Sequence, residues 1–392
     1  MRSSRSWVIS LDIVLVANSP GELTSLVKPI AEKFRAKSPD SRITLFLTPC
    51  QYSSGKEVEY VKKNLAVDQV VSADEYKKWV LGGTLPRDLK FSALGAVLFL
   101  GGDLLHATLI AKKLDFPAYA YLAGKHIGWT GFYKKFFVPD QAAFSRFSDQ
   151  AEQLVLSGDL MVDSVRGLNK AEAQKQWHLD PARPTLALMP GSRDWEIKHI
   201  LPLYEKIVKL LKGKMKGLQT MVIVAPFTSV AEIEKHARGH LFDVYAPLDS
   251  ATAADLALTI PGTNTAQLAL LGVPEVMIFP LDDPKVIPLE GLLHYLGAIP
   301  LLGALIKRIV AHILNKNTRF FALPNIKAER MIIPEFRGRI RPVRVAELIE
   351  GLLKDPDRLF KMSQELKVSL GAPGAAEHIT EVILNEALSA PA

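Results

Sequence analysis

Three short segments of the sequence place glycine and polar or charged residues directly after an apolar run. They are LGGDLLHAT at 100–108, MPGSRDWEI at 189–197 and IPGTNTAQL at 260–268. This order is typical of a strand that ends in a tight turn and runs into a helix, whose first N–H groups can bind an anion. The second and third segments therefore predict phosphate sites. The first predicts a carboxylate and an imidazole at a strand end, which suits acid–base chemistry.

The two predicted phosphate sites differ in the groups they offer. In the first, the guanidinium of Arg193 can hold a phosphate through two parallel hydrogen bonds, although Ser192 could equally be a helix N-cap beside a solvated arginine. In the second, Gly262 permits close approach of the backbone, and Thr263 and Thr265 supply hydroxyl groups. No GxGxxG segment follows a strand and no GxxxxGK[ST] segment occurs, which disfavours dinucleotide enzymes and P-loop NTPases.

The acid–base candidates are Asp103 and His106. Either could take the proton of an attacking hydroxyl, because imidazole titrates near neutrality and a carboxylate could act directly or orient the ring. In the alternative interpretation, Asp103 only caps a helix and His106 only occupies its first turn. Glu22 and His126 are secondary candidates, and Glu22 could instead be an acidic residue that favours a helix start.

Composition narrows the class of protein. The chain has 392 residues, of which 48% are hydrophobic, and 48 Lys and Arg against 41 Asp and Glu give a net charge of +7. A disordered chain is excluded, and anionic partners such as phosphorylated sugars, nucleotides or lipid headgroups are favoured. The dispersed basic residues disfavour nucleic acid. Cys50 is the single cysteine, so no internal disulfide can form and a reducing compartment is expected.

Short apolar runs alternate with helical patterns, which predicts parallel strands joined by crossover helices. One series begins with a strand at 13–17, which we prefer to a signal peptide because Asp12 interrupts the apolar run. A second series begins at 185–189, and the boundary between the two falls near 164–184. Predicted helices include 26–37, 107–113 and 200–211. Two open α/β domains follow, with ligands expected at the carboxyl ends of their strands.

The motifs of the second series resemble those of the lipid-A-disaccharide synthase family. The resemblance is carried, in order, by LALMPGSRDWEI (186–197), PGTNTAQLALLGVP (261–274) and ALPNIKAERMIIPEF (322–336). In the first half of the chain only SPGEL (19–23) and GDLMVDS (158–164) are similar to family motifs.

The resemblance implies a glycosyltransferase B fold, an α/β architecture with two Rossmann-like domains whose parallel sheets face across a cleft. Residues 1–165 would bind the acceptor and residues 166–370 the nucleotide sugar, with a hydrophobic membrane-associating insert at 286–314. Residues 371–392 would form a helix that crosses back to the first domain.

The implied activity is an inverting transfer of acylated glucosamine from a UDP donor to a phosphorylated, acylated glucosamine lipid, with no metal and no cofactor. The resemblance places such an enzyme in the bacterial cytoplasm, peripheral on the inner face of the membrane, and leaves a homodimer open. Alternatives are a glycosyltransferase with a different glycolipid acceptor, a UDP-sugar 2-epimerase, and a non-catalytic nucleotide-binding protein at the membrane surface.

The resemblance also assigns residues by position. Those expected to bind the donor nucleotide are Gly191, Ser192, Arg193, Glu196, Gly262, Thr263, Asn264, Thr265 and Gln267. Those expected to act in catalysis are Asp103, His106 and Glu22, and those expected at a substrate or an interface are Asn325, Arg330 and Glu335. The chain departs from the family at two of these positions. Gln267 stands where the family usually has a glutamate near the ribose, and His106 falls at the catalytic aspartate if Asp103 matches the first aspartate of the motif.

The segment 286–306 is apolar and about long enough to span a bilayer, but prolines and glycines interrupt it. We expect it to lie in the membrane interface, with Lys307 and Arg308 near anionic headgroups. A pair of buried core helices is the alternative.

Overall fold

The computed structural model describes residues 11–50, 55–83, 89–122, 126–282, 313 and 315–389. The chain divides into two compact units, Met1–Ser164 with Gly371–Ala392, and Val165–Leu370. Each unit contains one sheet, and every described strand pair is parallel. The predicted apolar segment 286–306 lies outside the described residues. No described helix is both long and apolar enough to cross a membrane.

The sheet of unit 1 has seven strands in the order β3-β2-β1-β4-β5-β6-β7. Its strands are β1 (Asp12–Ala17), β2 (Arg42–Leu47), β3 (Gln69–Val71), β4 (Gly95–Phe99), β5 (Ala118–Tyr121), β6 (Tyr133–Val138) and β7 (Leu154–Leu156). Its helices before the domain boundary are α1 (Pro20–Glu22), α2 (Lys28–Lys37), α3 (Glu57–Asn64), α4 (Ala73–Gly82), α5 (Leu104–Leu114), α6 (Gln141–Arg146) and α7 (Leu160–Ser164). A π-helical turn, Leu23–Val27, connects α1 to α2.

The sheet of unit 2 has six strands in the order β10-β9-β8-β11-β12-β13. They are β8 (Thr185–Met189), β9 (Gln219–Ile223), β10 (Val244–Ala246), β11 (Leu256–Thr259), β12 (Glu275–Phe279) and β13 (Glu335–Arg337). The helices are α8 (Lys170–Gln176), α9 (Asp194–Lys214), α10 (Val230–Glu234), α11 (Thr263–Leu270), α12 (Leu323–Lys327), α13 (Pro342–Leu353) and α14 (Pro356–Ser369), and the C-terminal helix is α15 (Ala375–Ser389). In both sheets the central strands are apolar on both faces, because helices cover both faces of a parallel sheet.

Three helices begin earlier than the apolar spacing predicted. The helical segment predicted at 26–37 starts at Pro20, α5 starts at Leu104 and α9 starts at Asp194. Each start is set by polar contacts at the helix end rather than by the first buried apolar residue, which is why the periodicity placed it too late.

The C-terminal helix α15 packs in unit 1, where the GDLMVDS segment holds its start. Asp163 accepts hydrogen bonds from the N–H groups of Gly374 at 2.7 Å and Ala376 at 2.6 Å. Further along the helix, Glu386 accepts a hydrogen bond from the Tyr119 hydroxyl at 2.8 Å. A carboxylate at a helix start satisfies free N–H groups and favours the helix dipole, so Asp163 ties the end of the chain to the first sheet.

Glu275, the first residue of β12, is fully buried, and neither of its carboxyl oxygens has a hydrogen-bond partner among the described residues. Burial raises the pKa of Glu275 well above its ordinary value of 4.5. The protonated form is favoured because an unpaired carboxylate inside a protein loses its hydration without compensation. Unit 2 therefore keeps a neutral carboxylic acid within its fold.

Replacing Glu275 with glutamine should make unfolding less sensitive to pH. The unfolded chain loses this proton near pH 4.5 while the folded chain retains it, so the contribution of Glu275 is greatest below that pH and is lost as the pH rises toward the folded pKa. We expect Glu275→Gln to be more stable than the wild type by about 1–2 kcal/mol near pH 8, with a smaller gain near pH 5, in urea unfolding. Glu347→Gln, on the exposed side of α13, is the matched control. If the difference in free energy of unfolding between Glu275→Gln and the wild type were the same at pH 5 and pH 8, the raised pKa of Glu275 would be contradicted.

Candidate functional site

In unit 1, the loops after the neighbouring strands β1 and β4 meet at the carboxylate of Glu22. Its Oε2 accepts hydrogen bonds from the N–H groups of Asn18 at 2.8 Å and Ser19 at 3.1 Å. A Cβ atom on Gly101 would lie 1.9 Å from the Glu22 carboxyl carbon, so a side chain there would displace the carboxylate. Burial raises the pKa of Glu22, although hydrogen bonds from Asn18, Ser19 and Gly102 oppose the shift. These contacts make Glu22 a residue that joins two loops, and we do not retain it as a catalytic candidate.

Asp103 and His106 lie where the chain leaves β4 and enters α5. Asp103 is exposed and is the N-cap of the helix, with its Oδ1 accepting a hydrogen bond from the Leu105 N–H at 2.8 Å. His106 is half-buried in the first turn, and its Nδ1 lies 2.8 Å from the hydroxyl oxygen of Tyr76. Asp103 therefore has the capping role that the alternative interpretation gave it, and it does not hydrogen-bond the imidazole. Among the described residues, the second oxygen of Asp103 and the Nε2 of His106 have no hydrogen-bond partner.

Burial sets the protonation of the groups around His106. It lowers the pKa of His106, and the negative charge of Asp103 opposes this shift. It raises the pKa of Tyr76 to about 12, and Asp103 adds to this shift. Imidazole and phenol are therefore both neutral near pH 7.

Tyr76 was not predicted from the sequence, although a local signal for its helix exists. Ser72 and Glu75 form a capping box, in which the Ser72 hydroxyl accepts from the Glu75 N–H at 3.3 Å and the Glu75 carboxylate accepts from the Ser72 N–H at 2.8 Å. This pair starts α4 and turns Tyr76 and Trp79 inward, where both rings contact Phe46. The S-x-x-E pattern predicts the helix start, but no pattern predicts that Tyr76 reaches His106.

In unit 2, the first of the two predicted phosphate turns is closed by the chain itself. The Glu196 carboxylate accepts hydrogen bonds from the N–H groups of Ser192 at 2.9 Å and Arg193 at 3.1 Å, and it pairs with the Arg193 guanidinium at 3.3 Å. A Cβ atom on Gly191 would lie 2.3 Å from a Glu196 oxygen. The N–H groups expected to hold a diphosphate here are therefore already occupied by Glu196.

The second turn is open. Gly262 has a φ of +106°, and a Cβ atom added to it would meet no atom of the described residues within 4 Å. It precedes α11, whose start has no side-chain cap, and both Gly262 and Thr263 are exposed while Asn264 is half-buried. Among the described residues, no side chain caps the N–H groups at this helix start, which is the arrangement in which a helix start can bind an anion.

Two other residues of this turn face inward to different degrees. Thr265 is fully buried, and its hydroxyl donates to the Gly262 carbonyl at 2.9 Å and accepts from the Leu323 N–H at 3.1 Å. It therefore supports the turn and links it to α12 instead of facing a ligand. Gln267 is half-buried one turn further along α11.

The ALPNIKAERMIIPEF segment forms an internal network around Asn325, which is fully buried. The Asn325 Oδ1 accepts from the N–H groups of Ile332 at 2.7 Å and Ile333 at 3.0 Å, and its Nδ2 donates to the Ile333 carbonyl and to Glu335, each at 2.9 Å. Glu335 also accepts from the N–H of Ala322 at 3.0 Å, just before α12. All four hydrogen-bonding positions of the Asn325 amide are thus used within the fold.

Arg330 is exposed and pairs with Glu365 of α14 at 2.8 Å. The three residues predicted at a substrate or an interface therefore have internal partners, and we retain none of them as a ligand contact.

A family model described as lipid-A-disaccharide synthetase matches residues 145–344, just over half of the chain. The chain belongs to this family. The match contains both turns of unit 2 and the Asn325 network. His106, Asp103 and Tyr76 lie before the matched range.

Individual relatives match over a similar range. Lipid-A-disaccharide synthase of Anaeromyxobacter sp. strain K is 31% identical over 53% of this chain and 50% of its own length, and that of Geobacter metallireducens is 26% identical over 58% and 56%. The chain spans about half the length of the curated relatives it matches.

Solved structures share the fold across almost the whole chain. UDP-GlcNAc 2-epimerase of Neisseria meningitidis, bound to UDP-GlcNAc, has a TM-score of 0.53 at 12% identity and covers 95% of this chain and 100% of its own. The S. aureus MnaA structure with UDP has a TM-score of 0.54 at 12% identity, with coverage of 97% and 99%. The glycosyltransferase B class of fold, with two Rossmann-like parallel sheets, is therefore correct.

Replacing Asn325 with alanine should destabilise unit 2 by about 2–4 kcal/mol, because the change leaves two buried N–H groups and a carbonyl unpaired. Urea unfolding measures this loss, and UDP affinity of the folded fraction should stay within about twofold of the wild type. Asn385→Ala, on α15 in unit 1, provides the matched control. A stable Asn325→Ala protein with impaired UDP binding would contradict the structural assignment and return Asn325 to the ligand site.

Proposed function

We propose that the protein is an inverting glycosyltransferase that moves acylated glucosamine from a UDP donor to a phosphorylated, acylated glucosamine lipid. The observation that carries the proposal is an open, uncapped helix start at Gly262–Asn264, inside the range that matches the lipid-A-disaccharide synthetase family. Unit 2 would bind the donor and unit 1 the acceptor.

The donor diphosphate would bind at the second turn. The N–H groups of Thr263 and Asn264 and the dipole of α11 favour negative charge there, and the same groups would stabilise the UDP leaving group as its charge develops. The first turn would contribute through Arg193, whose side chain is about half exposed, with a relative exposure of 46%. Gln267 can hydrogen-bond a ribose hydroxyl through its amide in place of the glutamate that is usual in the family.

Unit 1 would supply the acid–base groups for the acceptor. Asp103 and His106 sit at the carboxyl end of β4, the edge where parallel sheets bind ligands. One of them takes the proton from the attacking hydroxyl, and neither requires a metal or cofactor to do so.

Contact with a membrane belongs to the same proposal. An acylated acceptor lies in a bilayer, and the insert at 286–314 and the net charge of +7 suit a peripheral position on an anionic surface. In this proposal the enzyme works on the cytoplasmic face of a bacterial inner membrane.

Incubation with UDP-2,3-diacylglucosamine, the corresponding 1-phosphate and lipid vesicles tests the reaction through UDP release and product mass. A disaccharide 1-phosphate is the expected product. UDP binding without UDP release would move the proposal to a different glycolipid acceptor. Conversion of UDP-GlcNAc into its 2-epimer would replace the transferase with an epimerase, and absence of UDP binding would overturn both.

An Asn264→Asp variant tests the position of the diphosphate. Aspartate in the first turn of α11 favours the helix dipole, so the folded protein should be as stable as the wild type or slightly more stable. The same charge repels a diphosphate, so UDP affinity measured by calorimetry should fall at least about tenfold.

The matched control is Asn169→Asp, at the N-cap of α8 in the same unit. It makes the same charge change at another helix start and should leave UDP affinity unchanged. Equal UDP affinity in Asn264→Asp and the wild type would show that the diphosphate binds elsewhere.

A further inference from the structure

The hydrogen bond between Tyr76 and His106 bears on the position of the imidazole and on which of its nitrogens carries the proton. The Tyr76 oxygen and His106 Nδ1 are 2.8 Å apart, and the two rings meet edge to face with centroids separated by 5.3 Å and an interplanar angle of 89°. Tyr76 is 2% exposed, and its ring also packs edge to face against Phe46. The phenol therefore presents its hydroxyl to one ring nitrogen from a rigid position.

The direction of this hydrogen bond follows from the donors and acceptors available. A phenol has one O–H to donate, and among the described residues His106 Nδ1 is the only partner of the Tyr76 hydroxyl. If Nδ1 donated instead, the buried O–H would be left without an acceptor, which costs free energy. The phenol stays protonated because burial raises its pKa to about 12. The hydroxyl of Tyr76 therefore donates, and Nδ1 accepts.

An imidazole that accepts at Nδ1 carries its proton on Nε2 while it is neutral. Burial keeps His106 neutral by lowering its pKa. Nε2, which has no partner among the described residues, is then a hydrogen-bond donor without the lone pair that a base requires. Asp103, exposed and with one oxygen outside the helix cap, is a group at this strand end that can take a proton, whereas the nearby Glu22 carboxylate is half-buried and bound by backbone N–H groups.

We propose that Tyr76 is a positioning residue that holds His106 as a hydrogen-bond donor to a substrate oxygen, while Asp103 accepts the proton. The proposal rests on the glycosyltransferase function proposed above and divides the roles that the sequence left open between Asp103 and His106.

The step balances with these groups. The acceptor hydroxyl oxygen bonds to the anomeric carbon, and the bond from that carbon to the diphosphate oxygen breaks, with its electron pair leaving on UDP. The hydroxyl proton passes to the Asp103 carboxylate, which is exposed and can return the proton to water. His106 keeps its Nε2 proton throughout and stabilises negative charge on the substrate.

Nitrogen-15 NMR of the histidine side chains tests the tautomer without any substrate. The chain has nine histidines, and the signals of His106 are those that disappear in His106→Gln. We expect the wild type to show a neutral ring with the proton on Nε2 and an accepting Nδ1. In Tyr76→Phe, which keeps the buried ring, the Nδ1 signal should shift toward that of an unbonded nitrogen and the second tautomer should appear.

The matched control is Tyr133→Phe. The Tyr133 hydroxyl donates to the Leu104 carbonyl at 2.8 Å at the same end of α5, but it does not contact His106. Its loss should leave the His106 spectrum unchanged. A wild-type His106 with its proton on Nδ1 would overturn the proposal.

The kinetics of UDP release distinguish a His106 that donates a hydrogen bond from a His106 that acts as the base. Glutamine can donate a hydrogen bond but cannot take a proton, so His106→Gln should keep kcat within about tenfold of the wild type, whereas His106→Ala should lose about 100-fold. Asp103→Asn keeps a good helix cap and should lose at least about 100-fold in kcat with little change in KM. Tyr76→Phe should lower kcat several-fold without changing UDP affinity.

Equal losses in His106→Gln and His106→Ala, with an active Asp103→Asn protein, would make His106 the base and overturn the proposal. A wild-type protein that releases no UDP from any donor would instead overturn the proposed function. The NMR spectrum would then still decide which nitrogen carries the proton, so the two failures are distinguishable.

Discussion

In both units, each helix that follows a parallel strand begins with N–H groups that need hydrogen-bond acceptors from outside the helix. A parallel sheet sends every strand into a helix at the same edge, so free donors and positive helix ends accumulate there. Glu22 after β1 and Glu196 after β8 satisfy two of these turns in the same arrangement, in which the glutamate accepts the N–H groups three and four residues before it. Among the described residues, no such carboxylate caps the turn at Gly262. In the function proposed above, this open helix start is where an external anion would bind.

The motifs that identify the family have mainly structural roles. Asn325 and Glu335 join α12 to the segment before β13, and Thr265 links α12 to the open turn. Replacement of any of these would leave buried donors or acceptors unpaired, which gives a physical reason for such residue types at these positions. The motifs thus hold the backbone of the turn at Gly262 in place, while the groups proposed to contact a ligand there are mostly backbone N–H groups.

The residues of unit 1 that we propose for catalysis lie at the end of β4. There Asp103 combines a helix cap with an exposed oxygen, and His106 receives its orientation from a helix that precedes it by some thirty residues. The orientation of His106 depends on α4, which begins at a capping box and packs its aromatic residues on Phe46 of β2. The packing of one aromatic cluster therefore fixes where the Tyr76 hydroxyl meets the imidazole.

The sequence by itself determined the class of fold, the strand Thr185–Met189 to the residue, and the glycine turns that precede α5, α9 and α11. It could do so because apolar runs and glycine turns act locally along the chain. The short strands β3 and β13 were not predicted because each includes a polar or charged residue, so neither forms an uninterrupted apolar run. Only the tertiary structure decided that Glu196 closes one turn, that the turn at Gly262 stays open, and that Tyr76 faces His106. These outcomes depend on which hydrogen-bond donors and acceptors of separate elements come together in the folded protein. The spacing of residues along the chain does not specify the distances between those atoms.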